Sequence, residues 1–99
     1  MARLTFELPS LLAAAAGGRG ELVLEVAPRG EGQPTLRDAL EALFDELPAL
    51  RGLLLDERGA FREHVLCFHN GRSTRWMSGL GGPVADGDTV RLLQAVSGG

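Results

Sequence analysis

The sequence predicts a single α+β domain over residues 1–99, in which one main helix packs across one face of a mixed sheet of four or five strands. Several segments alternate apolar and polar residues, which is typical of half-buried strands. One segment repeats its apolar residues every three or four positions, which indicates an amphipathic helix. A chain of 99 residues has room for one hydrophobic core, so these elements must share it in two layers.

The first two predicted strands lie close together in the sequence. Apolar residues alternate with polar ones over residues 2–8, and Pro9 ends this strand. Residues 10–20 are rich in alanine and then in glycine, and they are predicted to be a loop or turn. The alternation returns over residues 21–27. We expect these two strands to pair as an antiparallel hairpin.

The main helix is predicted to begin after Thr35. Thr35 is a typical N-cap residue, and Asp38 stands three positions later in the place of a capping-box partner. Pro48 ends the helix, and residues 49–59 form a leucine-rich connector with one short helical turn. The apolar stripe of the helix consists of Leu36, Ala39, Leu40, Leu43, Phe44 and Leu47.

The second half of the chain predicts three more strands. Residues 61–70 form the third strand, and Asn70-Gly71 is a strong hairpin signal that leads into a short return strand over residues 72–76. Asp86-Gly87-Asp88 is predicted to be a tight turn, supported by hydrogen bonds from side chain to backbone. The last strand covers residues 89–96.

Composition excludes several classes of function. The net charge of −3 is unfavourable for binding nucleic acid, which requires a basic surface. No apolar run approaches the roughly 18 residues of a membrane span, and no convincing signal peptide is present. One cysteine excludes an internal disulfide. We therefore expect a cytoplasmic protein with no membrane or nucleic-acid partner.

No catalytic or metal site is predicted. Cys67 and His69 share one strand face, but that face is apolar, so Cys67 is interpreted as a small buried hydrophobic residue. His64 points to the opposite face, so the three side chains cannot converge on a metal ion. No resident cofactor is expected.

The chain printed here closes on Gly98-Gly99, which follows a predicted strand. Two residues without side chains form a thin segment that can thread a narrow channel. The only reactive group of this pair is the α-carboxylate of Gly99. A carboxylate is inert until another enzyme activates it, for example as an acyl-adenylate.

Residues 80–99, LGGPVADGDTVRLLQAVSGG, resemble the C-terminus of the ThiS/MoaD sulfur-carrier family. Members share a Gly-Leu pair, an Asp-Gly-Asp-x-Val motif, two apolar strand residues and a closing Val-x-Gly-Gly. Earlier motifs resemble the longer, CysO-type members: the Asn70-Gly71 turn, Leu47-Pro48-x-Leu50 and Asp56-Glu57-x-Gly59. The resemblance implies a ubiquitin-like β-grasp fold.

The resemblance also implies a mechanism in which the carrier itself catalyses nothing. A ThiF/MoeB-like enzyme uses ATP to adenylate Gly99, and a sulfur donor converts the product to a thiocarboxylate. Val96, Ser97 and Gly98 thread the tail into partner enzymes. The sulfur acceptor is bound by a cysteine synthase-like enzyme or by the large subunit of molybdopterin synthase. Cysteine biosynthesis of the CysO type is the preferred pathway.

A partner surface is expected on the face of the sheet that the helix leaves open. The helix is expected to cover Val65, Cys67, Val90 and Leu92. The open face then carries Leu66, Phe68, Arg91 and Leu93, and the family's open face contacts its enzymes.

Three alternatives remain open: the small subunit of molybdopterin synthase, a protein modifier conjugated through Gly99, and an interaction module. The chain also departs from the family at two positions, because Gln94 stands where many members have Pro and His69 where many have Val.

Overall fold

The computed structural model of the chain describes residues 1–74, 80 and 82–94. Its elements in chain order are β1 (Ala2–Glu7), α1 (Ser10–Ala15), β2 (Glu21–Val26), α2 (Leu36–Glu46), α3 (Ala49–Leu54), β3 (Val65–His69), β4 (Arg72–Ser73) and β5 (Thr89–Gln94). The α+β class, with a mixed sheet and one main helix across it, is confirmed.

The five strands of the described part form one sheet in the order β2-β1-β5-β3-β4. The hairpin of β1 and β2 is antiparallel, as predicted, and so is the hairpin of β3 and β4. β5 lies between β1, to which it is parallel, and β3, to which it is antiparallel. The last strand of the described part is therefore the middle strand of the sheet.

The helix α2 begins with the capping box that the sequence predicts. The Asp38 backbone N–H donates to Thr35 Oγ1 at 3.2 Å, and the Thr35 N–H donates to Asp38 Oδ2 at 2.9 Å. The hydrogen bond from the Thr35 backbone is the main cause that lowers the pKa of Asp38. All six residues of the predicted apolar stripe are buried. They share the core with the inward-facing side chains of the strands.

The sequence interpretation was wrong for residues 10–15, which form the helix α1 instead of a loop. Six residues are too few to form a stable isolated helix. The alanine and leucine residues favour a helix, and tertiary packing compensates for its short length, because Leu12 and Ala16 are buried in the core and α1 contacts α3. Gly17 and Gly18 then adopt positive φ angles of 71° and 89° as the chain turns toward β2.

The third strand is also shorter than predicted. β3 begins at Val65, whereas Phe61 forms an isolated bridge with Leu55. A turn precedes Phe61. In this turn, Asp56 Oδ1 accepts hydrogen bonds from the backbone N–H groups of Arg58 and Ala60 at 2.8 and 3.1 Å. Of the predicted return strand over residues 72–76, Arg72–Ser73 form β4 and Thr74 does not continue it, whereas residues 75 and 76 lie outside the described part.

Candidate functional site

The segment that leads to the Gly-Gly pair is anchored in the middle of the sheet. In β5, Leu93 pairs with Leu66 and Gln94 pairs with Val65. Two ladders of hydrogen bonds fix β5, because residues 89–91 pair with β1 and residues 90–94 pair with β3. Val96, Ser97, Gly98 and Gly99 come after Ala95 and lie outside the described residues, so their roles stay predictions.

The Asp86-Gly87-Asp88 turn starts β5 and ties it to β1. Asp86 Oδ1 accepts a hydrogen bond from the Arg3 backbone N–H at 2.6 Å, and the Gly87 N–H donates to the Arg3 carbonyl at 2.9 Å. Gly87 has a φ of 88°, which favours glycine. The predicted turn and its bonds from side chain to backbone are confirmed.

Asp88 connects the same turn to the end of β3. Its Oδ2 lies 2.8 Å from His69 Nε2 and accepts a hydrogen bond from the Ala85 N–H at 2.9 Å. Burial alone raises the pKa of Asp88, but side-chain hydrogen bonds from Asn70 and His69 outweigh this and hold the pKa below its usual value. His69, which stands where many ThiS/MoaD members have Val, is thus a buried polar residue with a partner.

The Asn70-Gly71 hairpin completes this region. Both residues have positive φ angles, 51° and 83°, as a type I′ turn requires. Asn70 Oδ1 accepts a hydrogen bond from the Thr89 backbone N–H at 2.8 Å, and the Asn70 N–H donates to the Thr89 carbonyl at 2.9 Å. The start of β5 is therefore held by the β3–β4 turn as well as by β1.

Cys67 is a core residue. It is 2% exposed, and burial raises the pKa of its thiol to about 12, against a smaller opposing effect from Thr74. A thiol with such a pKa stays protonated near neutral pH and is a poor nucleophile. Within the described residues, no group of three or more His, Cys, Asp or Glu side chains is arranged to hold a metal ion. The helices described there include none long and apolar enough to cross a membrane.

The four residues of the predicted partner surface lie together on the sheet face opposite α2. Leu66 pairs with Leu93, and Phe68 pairs with Arg91, across the β3–β5 ladder. The three apolar side chains are half-buried, whereas the Arg91 side chain is 56% exposed. We call these four residues the open-face cluster. Their placement follows from the alternation, and their contact with a partner stays a prediction.

Glu7 belongs to the same site and is not identifiable from the sequence. Arg91 Nε donates to Glu7 Oε1 at 3.1 Å, across the parallel pairing of β1 and β5. A shallow groove of about 410 Å³ lies beside this ion pair and is lined by Phe68, Thr89 and Leu93. The face therefore offers apolar side chains next to one ion pair, which is a surface suited to binding another protein.

Comparisons with known proteins place this geometry in a family. The ThiS family matches residues 21–99. Small archaeal modifier protein 1 of Haloferax volcanii is 35% identical over 69 residues, which are 70% of this chain and 75% of that protein. Its crystal structure has a TM-score of 0.80 at 31% identity, covering 99% of this chain and 100% of that chain.

A chain in the crystal structure of the Amycolatopsis orientalis BexX/CysO complex is also similar. It has a TM-score of 0.76 at 25% identity and covers 97% of this chain and 99% of that chain. These likenesses confirm the ubiquitin-like β-grasp fold that the sequence resemblance implies.

Proposed function

This chain belongs to the ThiS family and is a ubiquitin-like protein of the sulfur-carrier or modifier type, and we propose that it acts through the activated carboxyl group of Gly99. A ThiF/MoeB-like enzyme adenylates this carboxylate: an oxygen of Gly99 attacks the α-phosphate of ATP, and pyrophosphate leaves. A sulfide-level donor then displaces AMP, and Gly99 becomes a thiocarboxylate. The thiocarboxylate sulfur is passed to an acceptor on a partner enzyme, in the cytoplasm.

The position of β5 is the observation that supports this proposal. β5 pairs with β1 up to Arg91 and with β3 up to Gln94, and the open-face cluster lies along β3 and β5. Gly99 is five residues beyond Gln94, and an extended backbone spans at most about 3.6 Å per residue. Gly99 therefore lies no more than about 18 Å from the end of β5. An enzyme that binds the open-face cluster is therefore positioned to act on Gly99, which follows the end of β5.

Sulfur transfer of the CysO type is our preferred pathway. It is supported by the likeness to the chain of the BexX/CysO complex over nearly the whole length of both chains. That complex also shows a precedent in which a protein of this fold assembles with a partner. The partner of this chain is proposed to be a cysteine synthase-like enzyme that binds the sulfur acceptor.

Protein modification is the second candidate, and the likeness to a small archaeal modifier protein at 35% identity favours it. It uses the same activated carboxyl group, but a lysine amine of another protein displaces AMP or sulfur and an amide bond forms. Peptides in which Gly99 is joined to a lysine side chain of a host protein are the expected signature. Their absence from the host would leave sulfur transfer as the function.

The decisive experiment is the intact mass of the chain after incubation with ATP, a ThiF/MoeB-like enzyme and sulfide. We expect a gain equal to the replacement of one oxygen by one sulfur. Deletion of Gly98-Gly99 must abolish the gain, and deletion of Met1 from the other end must leave it intact. An unchanged mass with enzymes that are active on their own carriers would contradict the proposal.

A further inference from the structure

The edge strand β2 and the helix α2 border a groove on the side of the sheet far from the open-face cluster. The groove has a volume of about 430 Å³, and its lining includes the partly buried side chains of Leu24 and Ala42. β1 separates β2 from β5 in the sheet, so a molecule in this groove does not compete for the groove beside Arg91. We name it the β2–α2 groove.

One side of β2 is available for pairing. All six residues of β2 pair with β1, and no other strand of the described part lies on the opposite side. The N–H and C=O groups of alternate residues point away from β1, which makes an edge strand a template for another extended segment. A peptide that pairs there directs every second side chain toward α2, over Leu24 and Ala42.

The charge of the groove selects the kind of peptide. Four carboxylates line it, and the only cation among the described lining residues is Arg29. Arg29 already forms an ion pair with Asp45, and both side chains are about half exposed or more. The chain itself thus shows one of these carboxylates, that of Asp45, holding a guanidinium. The four carboxylates belong to Glu25, Asp38, Asp45 and Glu46.

We propose that the β2–α2 groove binds an extended segment of a partner protein in which the residues that face α2, every second one along the segment, are apolar and arginine or lysine in turn. The backbone of the segment pairs with β2, its α2-facing apolar side chains cover Leu24 and Ala42, and its α2-facing cations meet the carboxylates of α2. A second copy of β2 fits poorly, because Glu21 and Glu25 give that strand an acidic character and like charges across paired strands are unfavourable.

The test uses the full chain, labelled with ¹⁵N, and two blocked synthetic peptides. One peptide carries valine and arginine in turn at every second position, with threonine between them, and the other carries glutamate in place of each arginine. The arginine peptide is expected to shift the backbone amide signals of Glu21–Val26 and Leu36–Glu46. The glutamate peptide is expected to bind at least about tenfold more weakly, because its charge repels the groove.

A matched pair of variants ties the binding to the groove. Glu46→Arg reverses one carboxylate at the C-terminal end of α2, where a positive charge suits the helix dipole and keeps the fold intact. We expect this variant to lower the affinity for the arginine peptide by about fivefold. The control is Glu57→Arg, in an exposed turn outside the groove, which leaves the affinity unchanged.

Three results would overturn the proposal: amide shifts that map to the open-face cluster, equal binding of both peptides, or no shift along β2 and α2. The test involves neither Gly99 nor an activating enzyme. Its failure is therefore distinguishable from failure of the proposed carrier function.

Discussion

The two faces of the sheet differ although the same strands build both. On β5, Val90 and Leu92 are 0% exposed beneath α2, whereas Arg91 is exposed on the other face and Leu93 is half-buried. Successive side chains of a strand point to opposite faces, so one strand contributes to the core and to the partner surface at once. We therefore expect substitutions on the two faces to affect different properties.

The largest expected effect is on the covered face. Leu92→Ala leaves a cavity in a fully buried position and is expected to lower the free energy of unfolding by about 3 kcal/mol. Leu93→Ala, one residue later on the open face, is the matched control and should cost less than half of that. Denaturant unfolding of both variants measures the difference, and equal losses would contradict the division between faces.

Asp88 tests the contact with His69, the buried polar side chain among the described residues. Asp88→Asn replaces the charged carboxylate that contacts the buried His69 with a neutral amide. It is expected to lower the free energy of unfolding by about 1.5 kcal/mol at neutral pH. Because the folded pKa of Asp88 is lowered, its contribution is complete above the ordinary pKa of 3.8 and is lost as pH falls through the folded value.

The difference in the free energy of unfolding between wild type and Asp88→Asn should therefore disappear at acid pH. Stability measured as a function of pH checks this, with Glu57→Gln as an exposed control whose gap stays near zero. A gap that stays constant below pH 3.8 would show that the charge of Asp88 is not what stabilises the turn.

Phe68 tests the open face. Phe68→Ala is expected to lower kcat/KM for adenylation by a ThiF/MoeB-like enzyme about tenfold, because aromatic residues dominate binding at interfaces. Val23→Ala is the control: Val23 is 47% exposed on the same face but lies on β2, away from the cluster. Equal effects of the two variants on adenylation would contradict the prediction that the open-face cluster contacts the activating enzyme.

The smallest expected effect concerns the ion pair of the open face. Glu7→Gln breaks the contact with Arg91, yet both side chains are substantially exposed, so the free energy of unfolding should change by less than about 0.5 kcal/mol. Any effect on adenylation should weaken as salt is added. A stability loss comparable to that of Leu92→Ala would show that the Glu7–Arg91 ion pair stabilises the fold, which contradicts a role confined to contact with a partner enzyme.

The sequence by itself determined the features that depend on near neighbours along the chain. Alternation within β3 and β5 separated Cys67 from Phe68 and Leu92 from Arg91. The capping box of Thr35 and Asp38 and the Asn70-Gly71 turn were predictable because each is made by residues at most three positions apart. The glycine pair and the Asp-Gly-Asp motif indicated the family, which the comparisons confirm.

Only the tertiary structure decided which strands are neighbours beyond the two hairpins. The Glu7–Arg91 pair joins residues 84 positions apart, and the contact between His69 and Asp88 spans 19. No local pattern encodes these contacts, because they depend on β5 entering the sheet between β1 and β3. The helix α1 formed for a similar reason: burial of Leu12 in the shared core stabilised a segment that is too short to form a helix alone.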